Sequence, residues 1–246
     1  MRQTKIMMDM PITVEITDKN PSPDLFSLVY DYFIYIDNKF SVFKPTSEIS
    51  QINLGKIKAA DYSPDMKTVL SLCQQTKIQS NGYFEIKRRG QLDPSGLVKG
   101  WAIYNAAQLL IQKGVKNCYI DAGGDIQIYG HNAENKPWQV GIRNPFNFNE
   151  IIKVLQLSNQ GIATSGTYIR GQHVYNPQKS GQLITDIVSL TVIGPNVYEA
   201  DRFATPAFAM GVQGIDFIEQ LPGFEGYQID KNGQATYTSG FSKFVV

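Results

Sequence analysis

Between positions 24 and 40, apolar residues recur at Leu25, Phe26, Val29, Phe33, Ile36 and Phe40. Spacings of three and four place them on one face of a helix, entered from a Pro/Ser-rich turn. Ahead of it, Pro11-Ile12-Thr13-Val14-Glu15-Ile16 alternates in the period-two manner of a strand. Residues 46–53, Thr46-Ser47-Glu48-Ile49-Ser50-Gln51-Ile52-Asn53, predict a short capped helix. Ser63-Pro64-Asp65 opens another, with the serine as cap and the proline at the first helical position. It carries Met66, Val69, Leu70 and Cys73 until Ser80-Asn81-Gly82 stops it. A third helical pattern runs over 97–113, behind Pro94-Ser95-Gly96, and ends at Gly114.

In the second half the period shortens to two. The run from Cys118 to Gly130 reads as two strands joined at Gly123-Gly124, and further strands are predicted over 138–143, 151–157, 161–164, 172–175 and 186–193. A helix over 198–211, a short helix, and strands near 224–229 and 234–238 complete the pattern. Helices come first and strands dominate afterwards, without regular βαβ alternation. That predicts an α+β fold, one domain over 1–246 with a mixed or antiparallel sheet flanked by helices.

Composition narrows the function classes. A net charge of +1 gives no general attraction to nucleic acid or anionic lipid, so any phosphate binding must be local. Cys73 and Cys118 have no nearby partner, which argues against thiolate metal sites and dithiol redox chemistry and for two reduced thiols in a cytosolic fold. The N-terminal residues alternate like a strand rather than forming a secretory leader, and no run approaches the ~18 apolar residues that span a bilayer. The expectation is a cytoplasmic protein without a membrane span.

Four segments could carry chemistry. Asp93-Pro94-Ser95-Gly96-Leu97-Val98-Lys99-Gly100 opens a helix, and free amides there with Lys99 could bind phosphate or simply start the helix. Ile120-Asp121-Ala122-Gly123-Gly124-Asp125 allows close backbone approach or a tight hairpin. Thr164-Ser165-Gly166-Thr167 with Arg170 and His173 gathers hydroxyls, a cation that suits phosphate and a group that moves protons near neutral pH; polar residues on exposed strands are the alternative. In Glu199-Ala200-Asp201-Arg202-Phe203-Ala204-Thr205-Pro206, Asp201 and Thr205 lie one helical turn apart on one face. A carboxylate and a hydroxyl so placed suit an oxygen-loving ion such as Mg²⁺, although the pair is common in ordinary helices. Pro206 removes a backbone donor and predicts a kink at Thr205.

Taken together and in this order, the four segments resemble the ApbE family of FAD:protein FMN transferases. The resemblance spans residues 8–211 and includes Phe40-Ser41-Val42-Phe43-Lys44-Pro45-Thr46-Ser47-Glu48-Ile49, similar to the family's Ser-x-Tyr segment followed by Ser-Glu-Ile. It implies Mg²⁺-dependent transfer of FMN from FAD to a Thr or Ser hydroxyl of a target flavoprotein, with release of AMP. The target motif would resemble Asp-x-x-Ser/Thr-Gly-Ala-Ser/Thr. It also implies Asp201 and Thr205 as side-chain metal ligands, with the carbonyls of Val98 and Ala204 beside them. Met8, Phe43, Lys44, Glu85, Trp101 and Tyr175 fall where the family contacts FAD, and His173 falls at its catalytic histidine. An FAD pyrophosphatase yielding FMN and AMP, and a non-catalytic FAD storage protein, are the alternatives.

The chain departs from the family pattern in places. Pro94-Ser95-Gly96 replaces the usual glycine pair, Glu85 stands for an aspartate, Phe43 for a tyrosine, and Asn176 for the acid of His-x-x-Asp. Asn176 carries no charge, so an acid that orients His173 is missing if that was its role.

Overall fold

Alternation at the N-terminus folds back on itself. β1 (Arg2–Met7) and β2 (Met10–Ile16) form an antiparallel hairpin closed by Met8 and Asp9, both with positive φ (51° and 57°), as a two-residue turn between twisted strands requires. The computed structural model describes residues 1–88, 90–167, 174–179 and 181–246. Arg170 and His173 lie outside them.

α1 (Asp24–Phe40) buries Phe26, Val29, Phe33, Ile36 and Phe40, the face that the spacing marks. α2 (Glu48–Asn53) starts where the Ser47 side chain accepts from the Ser50 amide, and α3 (Pro64–Gln79) where Ser63 accepts from Met66. Glu48 in turn accepts from the amide and hydroxyl of Ser63, joining the two caps. β3 (Lys87–Arg88) and β4 (Gln91–Leu92) make a small hairpin with too few residues to show a period in the sequence. α4 (Ser95–Gln112) follows, then β5 (Cys118–Ala122) and β6 (Asp125–Tyr129) about the glycine pair, and the hairpin β7 (Trp138–Asn144) and β8 (Asn147–Leu157). The chain continues through β9 (Gly161–Gly166), the short pair β10 (Tyr175–Asn176) and β11 (Gln182–Leu183), and β12 (Ile187–Gly194). It closes with α5 (Val197–Ala209), α6 (Gly214–Glu219), β13 (Glu225–Asp230) and β14 (Ala235–Tyr237).

Eight strands form one sheet in the order β1-β2-β5-β6-β9-β12-β13-β14, and every neighbouring pair is antiparallel. The expected mixed or antiparallel sheet is therefore antiparallel. Side-chain alternation divides its contacts. Ile12, Val14, Cys118 and Ile120 pack with α1, α3 and α4, while Ala163, Leu190 and Val192 pack under α5. On the opposite face Ile126, Ile128, Ile162 and Ile193 meet the β7–β8 hairpin through Trp138, Val140 and Leu155.

Boundaries moved by a few residues. The strand expected over 151–157 begins at Asn147, the helix expected to 211 stops at Ala209, and only Tyr175 of the strand expected over 172–175 is a described strand residue. α5 runs on past Pro206. Cys73 and Cys118 are buried and unpaired, and burial pushes both thiols up to about 12, so neither is a ready nucleophile. Among the described residues no helix is long and apolar enough to cross a membrane.

Candidate functional site

α5 is fixed at its start by two side chains. Asn196 caps it by accepting from the Glu199 amide, and Gln127 of β6 accepts from the Val197 amide at 2.8 Å. Arg202 fixes its rotation: the guanidinium donates to Glu199 at 2.7 Å and to Gln79 of α3 at 2.6 Å. With Arg202 turned toward α3, Asp201 and Thr205 face α4.

There they meet a single helical turn. The Gly100 amide donates to Asp201 Oδ2 at 2.7 Å, and Thr205 Oγ1 donates to the Gly96 carbonyl at 3.2 Å. Gly96 and Gly100 are four residues apart, so the carboxylate and hydroxyl of α5 each touch one end of the turn that opens α4. Contact this close needs glycine. A Cβ on Gly100 would sit 2.5 Å from the Asp201 Cβ and 2.8 Å from the Val197 carbonyl oxygen.

Asp201, only 5% exposed, and Thr205 border a cleft of about 260 Å³. Gly96 and Lys99 of α4, Gly123, the end of β9 from Thr164 to Gly166, Glu85 and Tyr175 complete much of its wall. Lys99 enters from α4 and pairs with Asp125 at 2.5 Å; Asp125 is 1% exposed and its Oδ1 also accepts from the Thr164 amide at 3.1 Å. A cation is thus held at the cleft by an acid buried beneath it. Burial works to raise the pKa of Glu85, but the Lys77 ammonium at 2.5 Å and the Lys87 amide outweigh it and hold the carboxyl below its ordinary value. The Arg88 guanidinium lies 4.5 Å from the centre of the Tyr175 ring. A second cleft, bordered by Val42, Asn53, Leu54 and Gln91, shares Arg88 and Asp93 with the first.

The expected site residues divide accordingly. Asp201, Thr205, Glu85 and Tyr175 share the cleft. Trp101 packs edge-on against Phe40 at 5.9 Å, and Met8 sits half-buried in the β1–β2 turn against the helical core. Lys44 pairs with Asp37 and Asn38, and Phe43 is 90% exposed; none of these four borders the cleft. Val98 and Ala204 are buried inside α4 and α5, where helix geometry directs their carbonyls to amides four residues on. Pro206 withholds a donor from the Arg202 carbonyl, not from Ala204. His173 lies outside the described residues. Asp125 and Gly100 lie in segments that the sequence marked for chemistry but were given no role of their own there; an acid directly after a glycine pair, and a glycine four positions after another, were the available signals.

The donors fit a hard cation. The two side chains that meet α4, a carboxylate and a hydroxyl, present oxygens, the ligand type of hard cations. A hydroxyl that donates to Gly96 keeps its lone pairs as acceptors.

The model of the ApbE family matches residues 8–89 and 85–227. The chain is 30% identical over 156 residues to a Salmonella typhimurium FAD:protein FMN transferase, which covers 60% of this chain and 45% of that protein. An Escherichia coli K12 protein of the same name is 31% identical over 156 residues, 60% of this chain and 44% of that one. The chain thus spans about half the length of the curated relatives it matches. A solved structure described as flavin transferase ApbE from Vibrio cholerae superposes with a TM-score of 0.86 at 19% identity, covering 99% of this chain and 98% of that one, a likeness of fold.

Proposed function

The chain belongs to the ApbE family, and on that footing we propose that residues 1–246 act as one cytoplasmic, Mg²⁺-dependent domain that moves FMN from FAD to a Thr or Ser hydroxyl of a target flavoprotein. The observation that carries this reading is the meeting of Asp201 and Thr205 with the first turn of α4, in the cleft that Lys99 enters. Buried, unpaired cysteines support the compartment.

In this reading Asp201 and Thr205 hold Mg²⁺, with the carbonyls of Val98 and Ala204 as further ligands. Bound there, the ion would neutralise charge on the FAD diphosphate. Lys99, fixed by Asp125, places a second positive charge at the same wall. Glu85 and Tyr175 contact FAD within the cleft; Met8, Phe43, Lys44 and Trp101 contact it outside the described wall. The acceptor hydroxyl gives its proton to His173 as its oxygen forms a bond to the phosphorus on the FMN side. The bond from that phosphorus to the bridging oxygen breaks, and AMP leaves with the electron pair.

The reading is tested by incubating the protein with FAD and Mg²⁺, with and without a peptide carrying the Asp-x-x-Ser/Thr-Gly-Ala-Ser/Thr motif. Transfer gives a covalently flavinylated peptide by intact mass. Free FMN without peptide would replace it with a pyrophosphatase, and retained intact FAD with a storage protein. His173→Ala is expected to keep FAD affinity and slow transfer at least about tenfold, the low end for lost acid–base catalysis. An unchanged single-turnover rate would remove the proton-transfer role.

A further inference from the structure

The main sheet comes apart at one place. β9 pairs with β12 along its whole length, from Gly161 to Gly166, but with β6 only at Gly161 and Ile162. The Thr167 amide donates to the Val188 carbonyl, so alternate residues 161, 163, 165 and 167 bond toward β12. Residues 162, 164 and 166 therefore direct their amides and carbonyls toward β6. The next rung would join Thr164 to Gly124, and it is not formed. The Thr164 amide donates to Asp125 Oδ1 at 3.1 Å, and the Gly124 amide to Asp121 Oδ1 at 2.8 Å.

Gly123 and Gly124, with φ of 62° and 96°, turn β6 back into β5 at this point, and a Cβ on Gly124 would meet nothing within 4 Å. The Thr164 carbonyl and the Gly166 amide are left without a partner among the described residues. Thr164, Ser165, Gly166 and Gly123 border the same cleft as Asp201, Thr205 and Lys99.

We propose that this open half-edge of β9 takes the acceptor protein as a short extended strand, its backbone pairing with Thr164 and Gly166 so that a Ser or Thr hydroxyl is delivered into the cleft. The proposal rests on the transferase reading and specifies how that site engages its protein substrate. A peptide fits the edge better than an anion does. An anion seeks donors alone, whereas the edge offers a carbonyl acceptor and an amide donor two residues apart, the alternation of an extended backbone. The one further donor at this edge, the Thr164 amide, is already held by a carboxylate. Pairing through main chain also suits a target built of small residues, because it asks little of their side chains.

The test is a scan of the motif peptide by N-methylation of one backbone amide at a time, with transfer followed by mass and FAD affinity measured separately. Methylation of the one peptide amide that donates to the Thr164 carbonyl is expected to cost at least about tenfold in kcat/KM, and of the amide on either side of it less than about threefold, with FAD affinity unchanged, since that amide carries the hydrogen bond and a methyl there also blocks close approach. Equal losses at neighbouring amides, or none, would overturn the strand pairing while leaving transfer to the unmodified peptide intact. Absence of transfer to the unmodified peptide would overturn the transferase reading and this proposal with it.

Discussion

Asp201→Ala is expected to lower flavin transfer by about a thousandfold, as losing several kcal/mol of metal-dependent transition-state stabilisation would do. Asp201 is the only carboxylate of the proposed ligand set, so its loss removes the charge that set supplies. The substitution also strips the Gly100 amide of its 2.7 Å acceptor inside a buried contact, which should destabilise the fold by about 1–3 kcal/mol. Asp201→Asn separates the two effects, because its amide oxygen can still accept from Gly100 but carries no charge. Transfer rates at limiting Mg²⁺, with urea melts of both variants, measure them. Near-normal stability with lost transfer in Asp201→Asn is the expected pattern; full transfer there would remove Asp201 as a metal ligand.

Gly100→Ala should be nearly as damaging without altering a charged or polar side chain. Its new Cβ would lie 2.5 Å from the Asp201 Cβ and 2.8 Å from a backbone oxygen, neither of which is the far end of a flexible side chain. Forcing α4 and α5 apart should destabilise the protein by about 1–3 kcal/mol. The displaced helix carries Lys99, and the other carries Asp201 and Thr205. A shift of about 1 Å between them is expected to reduce transfer about a hundredfold in the molecules that stay folded. Wild-type urea stability together with a wild-type rate would show that the close approach of the two helices does not set the site.

What the sequence could and could not reveal follows from the range of the interactions. α1, α3 and α4 were legible because their apolar spacing, and for α3 the Ser63 cap with Pro64 behind it, are local, and local signals survive into the fold. The pairing of Asp201 with Thr205 followed from helix geometry alone. That these two meet Gly96 and Gly100, some hundred positions earlier, depends on how α5 is rotated by Arg202 and seated by Gln127, which no periodicity encodes. The β3–β4 hairpin was invisible because two-residue strands carry no alternation. The same holds for Asp125: in sequence it is one acid after a glycine pair, and only the sheet brings it under Lys99. The resemblance assigned several FAD contacts by position, and the structure brings Glu85 and Tyr175 to the cleft wall, of which Met8, Phe43, Lys44 and Trp101 form no part.

The proposed function requires a divalent cation held by Asp201 and Thr205 against the diphosphate of FAD. Mn²⁺ substituted for Mg²⁺ in the FAD complex allows this to be read by electron–nuclear double resonance. A resolved phosphorus hyperfine coupling in the wild-type protein, lost in Asp201→Asn, is the predicted result. Mn²⁺ bound without phosphorus coupling, or with a coupling indifferent to Asp201, would contradict it.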